Sequence, residues 1–215
     1  MASFLIIMRI VLDFDHTLYS TKSLYEAIKA VFGKLGVDGE LFQQTFQLSK
    51  GTGRDYKPAR QIRLIAKQIG IEESKLQKEF NKILKISPKF FYTDTIEFLK
   101  KHQKEDKLFM LSYGEEKFQK QKVDSVKIKK YFKRIKITRD IGKAKPFKMF
   151  LSKKEPILFV EDNPQALLEV KKAYPRVITA RIRRGEGKYA EAPDNKYIDF
   201  QVKNLQELEA IIKSI

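Results

Sequence analysis

At 215 residues the chain suits one large α/β domain or a core carrying a smaller insert. Hydrophobic residues make up 42% and charged residues 33%, enough for a buried core under an ionic surface, and the lack of Cys excludes disulfides and thiolate metal sites. The formal charge of +17 admits nucleic acid or anionic phosphates as partners, but the lysines are spread along the chain, which reads first as a solvated surface.

Residues 4–13 (FLIIMRIVLD) form a near-continuous apolar run ending in carboxylates, the pattern of a central parallel strand buried on both faces. The run is too short to span a bilayer and lacks a basic leader and cleavage site, so a soluble, cytoplasmic protein is expected. Over residues 21–87 the periodicity turns helical. Leu24, Ile28, Val31 and Leu35 share a face, Ser23-x-x-Glu26 has the form of a capping box, and Gly36 suits a stop. Leu41, Phe42, Thr45 and Leu48 suggest a second helix, Ile62, Ile65, Ala66 and Ile69 a third, and Leu76, Phe80 and Ile83 a fourth.

Short apolar runs then alternate with helical segments. KLFMLS (107–112), RIKIT (134–138), ILFVE (157–161) and VITARI (177–182) read as strands; 95–103, 117–127, 147–153, 164–174 and 205–215 read as helices. Such alternation predicts right-handed crossovers and a Rossmann-like parallel sheet. The expected division is an α/β core of residues 1–19 and 90–215 with a small helical insert at 20–89.

Open parallel sheets bind ligands beyond the carboxyl ends of their strands. The first strand ends in Asp13-Phe-Asp15-His-Thr17, which puts two carboxylates on one side of an extended chain. Burying two anions side by side demands a cation or a shared proton. Asp13 can attack phosphorus, and Asp15 can protonate the leaving oxygen and then activate water. Ser112 ends the second strand, followed by Tyr113 and Gly114, where a hydroxyl and backbone amides could bind phosphate oxygens. Lys145 is the candidate cation beside Asp13, with Lys143 as a local competitor. Glu161-Asp162 ends the fourth strand, and a second acidic pair at a strand end points to an oxygen-ligated Mg²⁺. Arg54 in the Gly-rich segment 50–57 could reach an anionic substrate; Arg181-Ile-Arg183-Arg184-Gly-Glu-Gly-Lys188 reads as a solvated basic loop able to hold a second charged group.

In order, these elements resemble the haloacid dehalogenase-like (HAD) superfamily. Its four motifs are matched by Asp13-Phe-Asp15-His-Thr17, by Ser112, by Lys145-Pro146 and by Glu161-Asp162. The match covers about two-thirds of the chain, and the helical insert matches the family's C1-type cap. The resemblance implies Mg²⁺-dependent phosphoryl transfer with catalytic Asp13, Asp15, Ser112 and Lys145, metal held by Asp13, Asp15, Asp162 and Glu161, and substrate met by Thr17, Tyr113, Gly114 and Arg54. Family members that act on haloacids usually lack the second Asp, so Asp15 argues for phosphorus chemistry. Glu161 stands where Gly is usual, which leaves the ligand split between Glu161 and Asp162 open. The expected function is a phosphatase acting on a small phosphorylated metabolite. The alternatives are a phosphomutase with the same nucleophile, or a basic scaffold that binds nucleic acid without turnover.

Overall fold

A computed structural model describes residues 7–50 and 55–215. The chain divides into two compact units, one of Met1–Ser20, Phe91–Tyr113 and Ile128–Ile215, the other of Thr21–Phe90 and Gly114–Lys127.

The first unit is built on a parallel sheet. Its strands are β1 (Arg9–Leu12), β2 (Lys107–Tyr113), β3 (Arg134–Thr138), β4 (Ile157–Glu161), β5 (Ile178–Ile182) and β6 (Phe200–Val202). Their order is β3-β2-β1-β4-β5-β6, all neighbours parallel. β1 is central, with Leu12 opposite both Met110 and Val160. Its expected start at residue 4 falls outside the described residues. Alternation sorts the strand side chains: Val11, Phe109, Leu111, Ile157 and Phe159 share one core with Phe147, Phe150, Leu167 and Val170. Phe147 and Phe159 pack edge to face at 5.0 Å.

Helices α5 (Thr95–Glu105), α7 (Ala144–Phe147), α8 (Pro164–Ala173) and α9 (Leu205–Ser214) belong to this unit. α8 starts where it must: Asn163 accepts from the Gln165 amide and Pro164 occupies the first turn. Near the helix expected at 147–153 the chain instead makes the four-residue α7 and a 3₁₀ turn at Lys148–Phe150.

The second unit holds α1 (Thr21–Gly33), α2 (Gly39–Ser49), α3 (Pro58–Ile69), α4 (Glu73–Lys85) and α6 (Glu116–Ser125). α1 begins before Ser23, so the expected capping box lies inside its first turn. Asp38 caps α2 through the Leu41 amide, and left-handed Gly70 ends α3. Tyr25, Phe42, Phe46, Tyr56 and Phe118 form a chain of aromatic contacts through the unit's core. The segment 114–127 groups with these helices and not with the α/β core of the expected division. No helix among the described residues is long and apolar enough to cross a membrane.

Candidate active site

In the strand order 3-2-1-4-5 the chain reverses its winding between β1 and β4, and parallel sheets open a crevice at such a reversal. Asp13 follows β1 there and Glu161 ends β4. The Asp13 amide donates to the Val160 carbonyl at 3.0 Å, which fixes the two strand ends together. Asp13 and Glu161 are both buried. Oxygen atoms of Asp13, Glu161 and Asp162 all lie within 4.8 Å of one another.

The ammonium of buried Lys143 donates to Asp13 Oδ1 at 2.5 Å and to Glu161 Oε2. The other Glu161 oxygen accepts from the Asn163 amide at 3.1 Å. Burial pushes the Asp13 carboxyl up to about 7, Glu161 adds to the rise, and Lys143 pulls against it. Asp162 is raised well above the usual carboxylate range by burial and then by Glu161 and Asp13. Burial works against the charge on Lys143, but Asp13 and Glu161 outweigh it and hold the lysine protonated. Three carboxylates around one ammonium leave an excess of negative charge in a buried place. An all-oxygen donor set of that charge fits a hard divalent cation.

Beyond Asp13 the chain turns sharply. Leu18 and Tyr19 amides donate to the Phe14 carbonyl at 3.0 and 3.1 Å, and the His16 amide donates to the Tyr19 carbonyl at 2.7 Å. His16 takes a left-handed φ of 60° to close this turn. Asp15 stands on it, half-buried, close enough for its charge to bear on Asp13. Tyr189 is half-buried, its phenol raised by burial and by Asp162 and Glu161, so its hydroxyl stays protonated near the acidic pair.

A model of the haloacid dehalogenase-like hydrolases matches residues 10–180. The chain belongs to this family. No curated protein matches the sequence. Among solved structures the hydrolase resembles a haloacid dehalogenase-like hydrolase from Burkholderia xenovorans at 16% identity and TM-score 0.74, over 94% of this chain and 96% of that one. It also resembles the HAD-hydrolase YfnB of Bacillus subtilis, solved bound to magnesium, at 13% identity and TM-score 0.64, over 96% and 98%. The L-2-haloacid dehalogenase of Xanthobacter autotrophicus aligns at 17% identity and TM-score 0.60, over 97% and 99%. At these identities the likeness shows the fold alone.

The hydrolase corrects one assignment made from sequence: Lys143, not Lys145, meets Asp13. Lys145 lies within α7 and is exposed. Lys143 precedes the helix with a left-handed φ of 60°, which lets its side chain reach back to the strand ends. Asp13, Glu161 and Asp162 come together as expected, while the Asp15 carboxylate stands outside their cluster. Ser112 is fully buried near the end of β2, Tyr113 follows it half-buried, and Gly114 (φ 147°) opens the segment that groups with the helices. Thr17 is fully buried, its hydroxyl without a hydrogen-bond partner among the described residues. Arg54 lies outside the described residues.

The expected solvated basic loop is exposed at Lys188 but commits two of its arginines inward. The side chains of Arg181 and Arg184 are buried and paired with carboxylates, and only the Gly-Glu-Gly spacing hinted at a tight turn. A groove of about 790 Å³ lined by Leu151, Pro156, Ile157, Tyr174 and Val177 lies at the other end of β4. Its one carboxylate among the described residues, Glu155, is already paired with Arg9 and Lys107.

Proposed function

We propose that this hydrolase is a Mg²⁺-dependent phosphomonoesterase that works through an aspartyl-phosphate on Asp13, acting on a small phosphorylated metabolite. The observation that carries the reading is the carboxylate arrangement. Asp13, Glu161 and Asp162 can share one cation, and Asp15 supplies a further carboxylate two residues on. A halide leaves without a proton, whereas the oxygen leaving phosphorus needs one, which a second carboxylate two residues on can give.

Asp13 would attack phosphorus through one carboxylate oxygen, and the ester P–O bond breaks. Asp15 gives its proton to the leaving oxygen. It then takes a proton from water as that water attacks the phosphoryl group, and the bond to Asp13 breaks to release phosphate. Asp13, Glu161 and Asp162 would hold Mg²⁺, which when bound supplies positive charge that keeps Asp13 ionised and offsets charge on the phosphoryl oxygens. Lys143 adds a fixed ammonium at Asp13. The Ser112 hydroxyl stands at the same end of the sheet, as a donor to a phosphoryl oxygen. The four helices inserted between β1 and β2 in sequence, α1 to α4, are proposed as the cap that selects the substrate.

The test is phosphate release from an activated aryl phosphate, with and without Mg²⁺. Magnesium-dependent turnover that vanishes in Asp13→Asn supports the reading. Halide release from a 2-haloacid without phosphate release would replace it, and transfer of phosphate back to the substrate would make the enzyme a mutase.

A further inference from the structure

Arg181 and Arg184, read from sequence as part of a basic loop, are committed inward. The Arg184 side chain is buried against Asp94, the two side chains 5% and 4% exposed. Its Nη1 donates to Asp94 Oδ2 at 2.7 Å and its Nη2 to Asp94 Oδ1 at 3.0 Å, a two-pronged pair. Its Nε and Nη2 also donate to one backbone oxygen, the Thr17 carbonyl, at 3.1 and 2.9 Å. The guanidinium lies 4.2 Å from the Tyr92 ring centre. Asp94 is anchored in turn by the Leu205 amide at the start of α9.

Thr17 belongs to the turn that carries Asp15. That turn is held again one residue later, where the Leu18 carbonyl accepts from Tyr92 N at 3.2 Å and Thr95 Oγ1 at 2.8 Å. Arg181 does the corresponding work at the other acidic turn. Its Nε donates to the Asp162 carbonyl at 3.3 Å, and its Nη1 and Nη2 donate to the carbonyls of Ala192 and Tyr189 at 2.8 and 2.7 Å. The loop that follows Arg184 lies against the nucleophile's turn. Tyr92 donates to Glu186 at 2.5 Å, and Glu186 faces His16 Nδ1 at 3.5 Å. Gly187 has φ 91°, and a Cβ there would stand 2.7 Å from the His16 ring. Replacing a buried ion pair by apolar groups is often neutral for stability, so stability alone gives no reason to keep Arg184 and Asp94.

We propose that Arg184 and Arg181 are positioning residues: from one strand end and its loop they set the spacing between the turn bearing Asp15 and the turn bearing Asp162, and so tune metal affinity and turnover without touching substrate. The kinetic half of this proposal rests on the phosphatase reading above; the metal-binding half does not.

The experiment compares wild type with Arg184→Ala, Arg184→Lys and Arg181→Lys in two measurements. The first is Mn²⁺ binding without substrate, followed by the resonance of the free ion. The second is turnover of an aryl phosphate at saturating Mg²⁺, per folded molecule. Supporting residues of this kind shift affinity or activity by roughly 10- to 100-fold. Arg184→Ala should lose kcat and Mn²⁺ affinity by about that factor with a smaller change in KM, and added guanidinium should recover part of the kcat. Arg184→Lys keeps the charge opposite Asp94 but cannot bridge two carboxylate oxygens and a carbonyl, so it should also be impaired. Wild-type kcat and Mn²⁺ affinity in folded Arg184→Lys would overturn the proposal, and that variant decides the matter if Arg184→Ala does not fold. A wild type that releases no phosphate would sink the phosphatase reading, while the Mn²⁺ comparison would still judge the positioning role.

Discussion

At position 143 a lysine is 2% exposed with two carboxylates on its ammonium, and at position 145 a lysine is exposed to solvent. Removing Lys143 leaves Asp13 and Glu161 facing each other unscreened. Lys143→Ala should therefore lower turnover by at least ~10²-fold, while Lys145→Ala, a surface change, should stay within about twofold of wild type. Steady-state kinetics on both variants checks the pair, and equal losses would contradict the assignment. Asp13 makes a prediction about stability. Its carboxyl, raised by burial and then by Glu161, moves from 3.8 to about 7 on folding. Between those values the metal-free folded chain keeps a proton that the unfolded chain has released. Metal-free stability should fall as pH rises through that window and level off above it. Asp13→Asn removes this contribution and should stabilise the metal-free protein by ~1–4 kcal/mol at mildly alkaline pH. Asp162, raised by the same crowding, leaves part of the slope in place. Urea unfolding across pH measures this; a wild-type profile that rises through the window would count against the crowded, uncompensated site.

At the scale of elements, β1, β2, β4 and β5 were legible as short apolar runs and β3 as an alternating one with no buried residue, and the acidic pairs were legible as strand ends. β6 was not, since three residues, Phe200–Val202, carry no periodicity to read. α7 lies before the helix expected at 147–153, because four residues carry too little periodicity to place a helix. Lys145 carries the Lys-Pro match to the family's third motif, but which of two nearby lysines faces Asp13 depends on where the helix begins. Arg181 and Arg184 looked like surface charge because their partners, from Thr17 and Asp94 to Asp162 and Tyr189, lie far away or across a turn. Phe159 tests the sheet's packing: it is fully buried, with Phe147 at 5.0 Å. Phe159→Ala should cost about 3–5 kcal/mol in denaturant unfolding. A loss below ~1 kcal/mol would mean that this side of the sheet is not a close-packed core.

On the scale of the whole molecule, sequence order predicted a helical insert, but the grouping of α6 with those helices follows from tertiary contacts that no local pattern encodes. The charge of +17 belongs to this scale as well. A basic surface draws an anionic phosphate substrate by long-range attraction, so kcat/KM should fall as ionic strength rises while kcat holds; a salt-independent kcat/KM would show that the lysines serve solubility alone. A covalent phosphoryl-enzyme on Asp13 would be caught by mass measurement of Asp15→Asn, intact and after digestion, once it is mixed with an activated aryl phosphate and Mg²⁺. With its base removed, the variant should gain one phosphoryl group on the peptide carrying Asp13, released by hydroxylamine and absent when Asp13 is also replaced by Asn. Phosphorylation of another residue, or wild-type turnover by Asp15→Asn with no phosphoryl group trapped, would contradict the account.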